Sequence, residues 1–334
     1  MLKTTLGNLT LANPVLSASG TFGSGWEGRS FSDLQRIGGL VSKTVTVLPR
    51  HGNPPPRIQE TPSGMLNSIG LENKGADYFL AESLPRMKQL AAGGNGPRVI
   101  VNIGGESVDE FVQLAERFSA AGVDALEVNL SCPNVQEGRL LFSTEPRLCE
   151  AAVRAVKRVA TVPVFAKLSP NVTDITVIAR AAEHGGADGI TAINTLIGMA
   201  IDWRKRRPIL GRGIGGLSGP AIKPVALRMV YECARTVKIP VIAVGGVQSA
   251  SDVLEFVCAG ASAVQIGTAL FTDPGLMVRI VDELEALLLA AGTTIEALRG
   301  SAQAQDVAAG ALGVAAPGPT HTRHHGVEGH GAKG

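Results

Sequence analysis

The chain has 334 residues, of which 45% are hydrophobic and 18% charged, a composition typical of one large globular domain with a substantial core. Its formal net charge is only +2, so the overall balance gives no reason to expect nucleic acid or an anionic membrane surface as the main partner. No apolar run approaches the roughly 20 residues that span a bilayer, and the stretch MLKTTLGNLT lacks a signal-peptide core, which together predict a cytoplasmic protein.

Short apolar, β-branched runs recur along the chain and alternate with helical patterns. The eight runs cover residues 13–19, 39–46, 98–105, 125–131, 162–169, 189–195, 239–246 and 263–269. Strands that are apolar on both faces and alternate with helices indicate a parallel sheet, and eight such units predict an α/β fold of the closed (β/α)8 TIM-barrel type over residues 1–300. Ahead of the first strand, LKTTLGNLTL predicts a β-hairpin that could close the bottom of the barrel.

Helix start signals follow several of the strands. Ser107 with early acidic residues begins one helix, and Ser249 with Asp252 predicts a capping box. A third helix is predicted to begin after an N-cap at Thr173 and to end at Gly185.

Two connections are too long for plain barrel loops. Residues 47–97 after the second strand and 196–238 after the sixth are rich in Gly and Pro, which favours functional lids.

The basic run at 204–207 is interpreted as a solvated loop, or as a holder of one anionic group. GRGIGG at 211–216 matches a dinucleotide-binding pattern but follows no predicted strand, so it carries little weight. Residues 301–334, rich in Ala, Gly and His, predict a disordered tail without a catalytic role.

Polar or glycine residues stand at the carboxyl end of every predicted strand, where barrel enzymes place their active sites. Eight such ends predict one shared pocket, and the glycines after strands seven and eight favour a bound phosphate. The strand-end residues are Ser19, Lys43, Thr44, Asn102, Asn129, Lys167, Asn194, Thr195, Gly245, Gly246, Gly267 and Thr268.

The side-chain types in this pocket indicate a small, negatively charged, polar ring as the ligand. Lys43 and Lys167 suit an anion or a ring that gains negative charge, although a strand-end lysine also fits the Schiff-base chemistry of barrel aldolases. Amides both donate and accept hydrogen bonds, which complements amide and imide edges. The amide residues are Asn67, Asn129, Asn134 and Asn194.

Cys132, in the motif NLSCPN, is the candidate proton acceptor. Only His51 and His184 lie outside the tail, and neither follows a strand. A thiol has a reference pKa near 8.5, so it can move a proton near neutral pH. The other three cysteines, Cys149, Cys233 and Cys258, fall in helical patterns and are predicted to be buried. Their spacing predicts no metal site and no iron–sulfur cluster.

The sequence resembles class 1 dihydroorotate dehydrogenases, most closely their type B catalytic subunits. The matching stretches run in order from about residue 13 to 270 and include NPVLSASGTFG, GNPPPRIQETPSGMLNSIGLEN, EVNLSCPNV, VPVFAKLSPNV, GGLSGPAIKPVALRMV and GASAVQIGTAL. Members of this family are FMN-binding (β/α)8 barrels that oxidise dihydroorotate to orotate in pyrimidine biosynthesis.

The resemblance implies roles for particular residues. Cys132 would remove the C5 proton of dihydroorotate while the C6 hydride passes to FMN, Lys167 would stabilise the reduced flavin, and Lys43 would lie between flavin and substrate. FMN would be held by Ser19, Lys43, Thr44, Asn102, Asn129, Lys167, Ile193, Gly219, Gly245, Gly246, Gly267 and Thr268. The substrate would contact Lys43, Asn67, Ser68, Ile69, Gly70, Leu71, Asn129, Asn134, Asn194 and Thr195.

The resemblance also implies a partner. Type B enzymes, which GGLSGPAIKP and EGRLLFSTEP resemble, pass electrons to NAD+ through a subunit with FAD and a [2Fe-2S] cluster, in an assembly of two catalytic and two electron-transfer chains. Class 2 enzymes, which use a serine base and carry an amino-terminal membrane-associating extension, resemble this chain less. The alternatives are a type A enzyme that uses fumarate, another FMN barrel such as a dihydrouridine synthase, and a barrel aldolase.

Overall fold

The computed structural model describes residues 1–93, 96–130 and 142–303. Eight parallel strands pair in chain order, and the last pairs with the first, so the barrel predicted from the alternating pattern is confirmed. The strands are β1 (Val15–Ser17), β2 (Gly39–Val41), β3 (Arg98–Ile103), β4 (Ala125–Asn129), β5 (Val164–Lys167), β6 (Gly189–Ala192), β7 (Val241–Val244) and β8 (Ala261–Ile266).

Helices surround the barrel. They are α1 (Gly75–Tyr78), α2 (Leu84–Leu90), α3 (Val108–Ala120), α4 (Pro146–Val159), α5 (Ile175–His184), α6 (Lys223–Thr236), α7 (Ala250–Cys258), α8 (Leu276–Ala290) and α9 (Ile295–Leu298). A π-helical turn, Phe79–Ser83, joins α1 to α2. Side chains such as Phe111 and Phe118 of α3 are fully buried in the same core as the outward-facing Val101 of β3. This layer of helices hides the outer face of the sheet from water.

The barrel interior is apolar at its amino-terminal end and polar above it. Alternate residues of a strand face the same side, so Ile100 and Asn102 of β3 both face inward, as do Ala125 and Glu127 of β4. Ile100 and Ala125 belong to a fully buried apolar cluster, whereas Asn102 and Glu127 are fully buried polar residues. The polar layer therefore lies on an apolar floor.

The predicted amino-terminal hairpin is confirmed and forms part of that floor. Strands Thr4–Leu6 and Leu9–Leu11 pair antiparallel. Their three leucines are buried in the apolar cluster inside the barrel, and the hydroxyl of Thr4 donates a hydrogen bond to the carbonyl of Ser262 at 2.8 Å. The hairpin thus seals the end of the barrel opposite the strand carboxyl ends.

The two long insertions combine into one antiparallel sheet, called here the accessory sheet. Its strand order is Leu196–Met199, Ile214–Ser218, Gly64–Asn67 and Ile58–Thr61. The central pairing, with Gly216 opposite Asn67, joins the insertion after β6 to the insertion after β2. GRGIGG therefore lies in and before a strand of this sheet, and it does not join a strand to a helix as a dinucleotide-binding loop does.

Apolar side chains are exposed beside the accessory sheet. Ile197, Ile201 and Trp203 are 62%, 61% and 71% exposed, and clusters of this kind are typical of surfaces that contact another chain. The basic run at 204–207 is exposed, as expected of a solvated loop: residues 204–206 form a turn, and Arg207 begins a short strand that pairs with Asp202. Hydrogen bonds from Lys205 and Arg204 lower the pKa of the Asp202 carboxyl, which anchors this turn.

Helix caps follow the sequence signals with one correction. Ser107 caps α3, and Ser249 with Asp252 forms the predicted capping box of α7. The predicted cap at Thr173 is wrong: the Asp174 carboxylate accepts from the backbone N–H of Thr176, and α5 begins at Ile175. A carboxylate at the N-cap also interacts favourably with the positive end of the helix dipole.

The helix cysteines are buried in two cases of three. Burial raises the pKa of Cys149 and of Cys233 to about 12 each, as expected of cysteines that pack as small apolar side chains. Cys258, the last residue of α7, is partly exposed, which contradicts its predicted burial.

No helix within residues 1–93, 96–130 and 142–303 combines the length and apolarity needed to cross a membrane. Residues 304–334 lie outside the described residues, so the tail and the domain boundary near residue 300 stay predictions.

Candidate active site

The strand carboxyl ends bring four of the predicted residues into one row of polar contacts. Asn194 donates from Nδ2 to Oδ1 of Asn129 at 3.3 Å, and Asn129 donates from its own Nδ2 to the hydroxyl of Thr44 at 3.4 Å. The hydroxyls of Thr44 and Ser19 are 3.4 Å apart. These residues follow or end β6, β4, β2 and β1, so the row of contacts brings these four strand ends together across the barrel mouth.

A buried carboxylate, Glu127, lies at the centre of the polar layer below this row. Its Oε1 accepts from Nδ2 of Asn102 at 2.7 Å and lies 3.4 Å from Nζ of Lys167. Its Oε2 accepts from the hydroxyl of Thr191 at 2.8 Å and from Nε2 of Gln265 at 2.6 Å. The five side chains come from five barrel strands, and the predicted Asn102 and Lys167 therefore meet through Glu127.

Glu127, Thr191 and Gln265 were not predicted as site residues, because the prediction covered only the last residues of each strand. The signal was present: each is a polar residue inside an otherwise apolar strand, in ALEV, GITA and AVQI. Buried polar residues need hydrogen-bond partners. An acid in one strand and hydrogen-bond donors in others could have been paired across the barrel.

The predicted substrate loop, residues 67–71, is held in a defined conformation. Gly70 and Leu71 both have positive φ, +76° and +56°. The backbone N–H of Asn53 donates to the carbonyl of Ile69 at 2.9 Å, and its side-chain Nδ2 donates to the hydroxyl of Ser68 at 3.0 Å. A leucine with a left-handed backbone conformation costs free energy that the surrounding contacts must offset. Such strain is common at functional sites, which supports a functional role for this loop.

Lys43 follows β2, Asn67 ends a strand of the accessory sheet, and Thr195 directly precedes another. Burial lowers the pKa of the half-buried Lys43, and the nearby Glu72 acts in the opposite direction. Asn67 donates from Nδ2 to the carbonyl of Gly216 at 3.2 Å, and the backbone N–H of Thr195 donates to Oδ1 of Asn194 at 2.8 Å. The accessory sheet thus brings side chains from both insertions to the strand ends.

The glycines after β7 and β8 line a small recess, together with Gly219 from the accessory-sheet connection. Gly219 and Gly246 have φ of +94° and +77°. The hydroxyl of Thr268 donates to that of Ser218 at 2.8 Å, and Thr268 begins a short 3-10 helix whose first backbone N–H groups have no partner within the helix. Backbone donors without crowding side chains suit a phosphate.

Two further predicted residues lie directly after β6 and β7. Gly245, with φ of +141°, directly precedes Gly246, and a Cβ there would come 2.7 Å from Ala226. Ile193 is buried, follows a cis peptide bond, and donates its backbone N–H to the carbonyl of Val244 at 3.1 Å. Both positions therefore support the ends of β6 and β7.

Gly246→Ala is expected to weaken retention of a phosphate-bearing ligand. An added Cβ would lie 2.7 Å from Cβ of Lys223 and 3.0 Å from the carbonyl of Gly219, so the recess would have to change shape. The matched control is Gly292→Ala, since Gly292 also has positive φ but has no atom within 4 Å of an added Cβ. The ratio of that ligand to protein after gel filtration should fall only in Gly246→Ala, and equal ratios would contradict the assignment.

Cys132 and Asn134 lie outside the described residues, so their predicted roles stay predictions. His51 is exposed in a loop, and His184 is exposed at the end of α5. Within the described part of the chain, no group of three or more His, Cys, Asp or Glu side chains is placed to hold a metal ion.

Comparison with known proteins agrees with this geometry. The sequence model of the dihydroorotate dehydrogenase family matches residues 1–288. The chain is 53% identical over 288 residues to the dihydroorotate dehydrogenase B (NAD(+)) catalytic subunit of Anoxybacillus flavithermus, covering 86% of this chain and 91% of that protein. It is 51% identical over 292 residues to the protein of the same name from Desulforamulus reducens, covering 87% of this chain and 94% of that protein. The chain therefore belongs to the dihydroorotate dehydrogenase family.

Proposed function

We propose that this chain is the catalytic subunit of an NAD+-linked dihydroorotate dehydrogenase, which oxidises (S)-dihydroorotate to orotate in pyrimidine biosynthesis. The proposal is supported mainly by two sets of polar groups at the strand ends. They occur in a chain whose residues 1–288 match the sequence model of the family. One set is the buried group of Lys167, Glu127 and Asn102, and the other is the glycine-lined recess after β7 and β8.

The residues present fit FMN. The recess suits its phosphate, and the polar layer suits the edge of its ring that carries one N–H and two carbonyl groups. Two of the three buried side-chain atoms without a hydrogen-bond partner in the described residues are Oδ1 of Asn102 and Oε1 of Gln265. A buried acceptor without a donor is costly, and an N–H of a bound ring would remove that cost for one of them.

The chain's own residues then have distinct roles. FMN, when bound, supplies the acceptor for the C6 hydride of dihydroorotate. Cys132 takes the C5 proton, and Asn67, Asn129, Asn134 and Asn194 hold the polar groups of the substrate. Lys167 presents a positive charge to the polar layer, and Lys43 presents a second one at the mouth. Preorganised charge of this kind is a large term in catalysis.

The electrons leave through a second protein. The relatives are named as catalytic subunits of NAD(+)-dependent enzymes, which supports a partner subunit for this chain also. We assign FAD and a [2Fe-2S] cluster to that partner and an assembly of two catalytic and two electron-transfer chains. We also propose that the chain acts in the cytoplasm, as expected from the sequence.

The purified chain is expected to be yellow and to lose its visible flavin absorption when dihydroorotate is added without oxygen. NAD+ reduction should require addition of the electron-transfer subunit, since FMN on this chain is the only flavin proposed here. A colourless protein would favour the aldolase alternative, and a flavoprotein that dihydroorotate does not bleach would favour a dihydrouridine synthase. Turnover with fumarate but not with NAD+ and the partner would favour the type A alternative.

A further inference from the structure

Among the described residues of the site, Glu127 is the most buried ionisable group, yet the roles assigned above do not use it. Its side chain is fully buried, and the groups that approach its two oxygens are all hydrogen-bond donors. Two are amide NH2 groups, one is a hydroxyl, and one is an ammonium. A carboxylate accepts hydrogen bonds at up to about four positions, which matches these four donors. A neutral amide in its place would turn its NH2 group toward one of the donors and clash with it.

The carboxylate determines how two amide side chains are oriented. Because it only accepts, Asn102 and Gln265 must turn their NH2 groups toward it, at 2.7 and 2.6 Å. Their carbonyl oxygens are thereby turned away, and these are the buried acceptors without a partner. Amide rotamers that were not fixed in this way could present either a donor or an acceptor to a ligand.

The carboxylate also lies beside the buried ammonium of Lys167. The two side chains are 0% and 7% exposed, and their charged atoms are 3.4 Å apart. In such a shielded place an electrostatic interaction is strong. A negative charge at this position opposes the accumulation of further negative charge nearby, whereas Lys167 favours it.

We infer that Glu127 is a positioning residue that presents the carbonyl oxygens of Asn102 and Gln265 to the flavin and lowers its reduction potential, because its negative charge offsets the positive charge of Lys167 and itself opposes negative charge on the flavin. The inference rests on the proposed function, since it concerns the flavin of that site. Under this inference Glu127 controls the reduction potential of the flavin. A lower potential keeps the reduced flavin able to pass its electrons to the next carrier.

Glu127→Gln tests the inference through the potential of the bound flavin. The variant removes the charge and nearly preserves the shape, and it forces one NH2 group to meet another donor. The midpoint potential, measured by titration with a redox dye, should rise, and FMN should be released roughly tenfold more readily, corresponding to about 1.4 kcal/mol. The visible flavin spectrum should shift as well, because hydrogen bonds to the ring change.

Thr191→Val is the matched control. It removes one hydrogen bond to Glu127, at 2.8 Å and fully buried, but leaves the charge of Glu127 in place. A purely structural role for Glu127 predicts that both variants melt at lower temperature and neither changes the potential. A raised potential in Glu127→Gln alone supports the inference, and equal potentials in Glu127→Gln and the unsubstituted protein overturn it.

A second comparison applies if Glu127→Gln does not fold. Lys167→Met is compared with the double variant Glu127→Gln/Lys167→Met, which leaves no unpaired charge in the layer. The double variant should have the higher flavin potential of the two, and equal potentials overturn the inference. These outcomes are distinct from failure of the proposed function, which would appear in the unsubstituted protein as absence of flavin or as no bleaching by dihydroorotate.

Discussion

Cys132→Ala is expected to keep its FMN and to lose most of its flavin reduction by dihydroorotate, with a rate lower by about 10² to 10⁴. The reason is that the proposed reaction needs a base for the C5 proton. The measurement is stopped-flow absorption of the flavin after mixing with dihydroorotate in the absence of oxygen. Cys258→Ala is the control, since this cysteine is partly exposed at the end of α7, and it should react at the unsubstituted rate.

The pH dependence separates the thiol from a competing base. Only the deprotonated base accepts a proton, so the rate should rise as pH rises through the thiol pKa, whose reference value is near 8.5. Cys132→Ser should be nearly inactive near neutral pH and recover as pH increases, because a hydroxyl is the far weaker acid. Lys43 is the competing candidate, since burial lowers its pKa. An unchanged rate in Cys132→Ala together with a lost pH dependence in Lys43→Met would transfer the role to Lys43.

The barrel could be predicted from the sequence because its physical signal is local. Each strand is a short apolar run, and each is followed by a helix or an insertion that the pattern shows. The four residues Ser19, Thr44, Asn129 and Asn194 were found for the same reason: strand ends meet at one face of a barrel whatever the details of packing.

What the sequence reasoning missed depends on contacts between distant segments. The pairing of Gly216 with Asn67 joins two insertions about 150 residues apart. The sequence of each insertion alone shows that it is rich in Gly and Pro but not that it pairs with the other. Glu127 was missed because it lies one layer below the strand ends, where its partners come from opposite sides of the barrel. The cap of α5 was misplaced by one residue because Thr173 and Asp174 are both good caps, and the choice depends on backbone geometry.

Lys167→Met is expected to slow flavin reduction by roughly 10² to 10³, the range found for removal of one preorganised electrostatic donor. The variant should also lose about 3 to 5 kcal/mol of unfolding free energy, because it leaves the buried Glu127 carboxylate without its cationic partner. Stopped-flow flavin reduction at saturating FMN and urea denaturation measure the two effects. Lys157→Met is the control: Lys157 pairs with Asp188 at 2.6 Å on the partly exposed outer surface, where such pairs contribute about 1 kcal/mol or less.

The double variant Glu127→Gln/Lys167→Met separates the two effects of the lysine. Removing both members of a buried ion pair avoids an uncompensated charge, so much of the lost unfolding free energy should return. The rate should not return, because the positive charge that the reaction needs is still missing. A double variant as unstable as Lys167→Met would mean that the pair at 3.4 Å contributes little to the fold. A double variant with its rate restored would mean that Lys167 serves only to neutralise Glu127, and the charge that assists the chemistry would then have to come from Lys43.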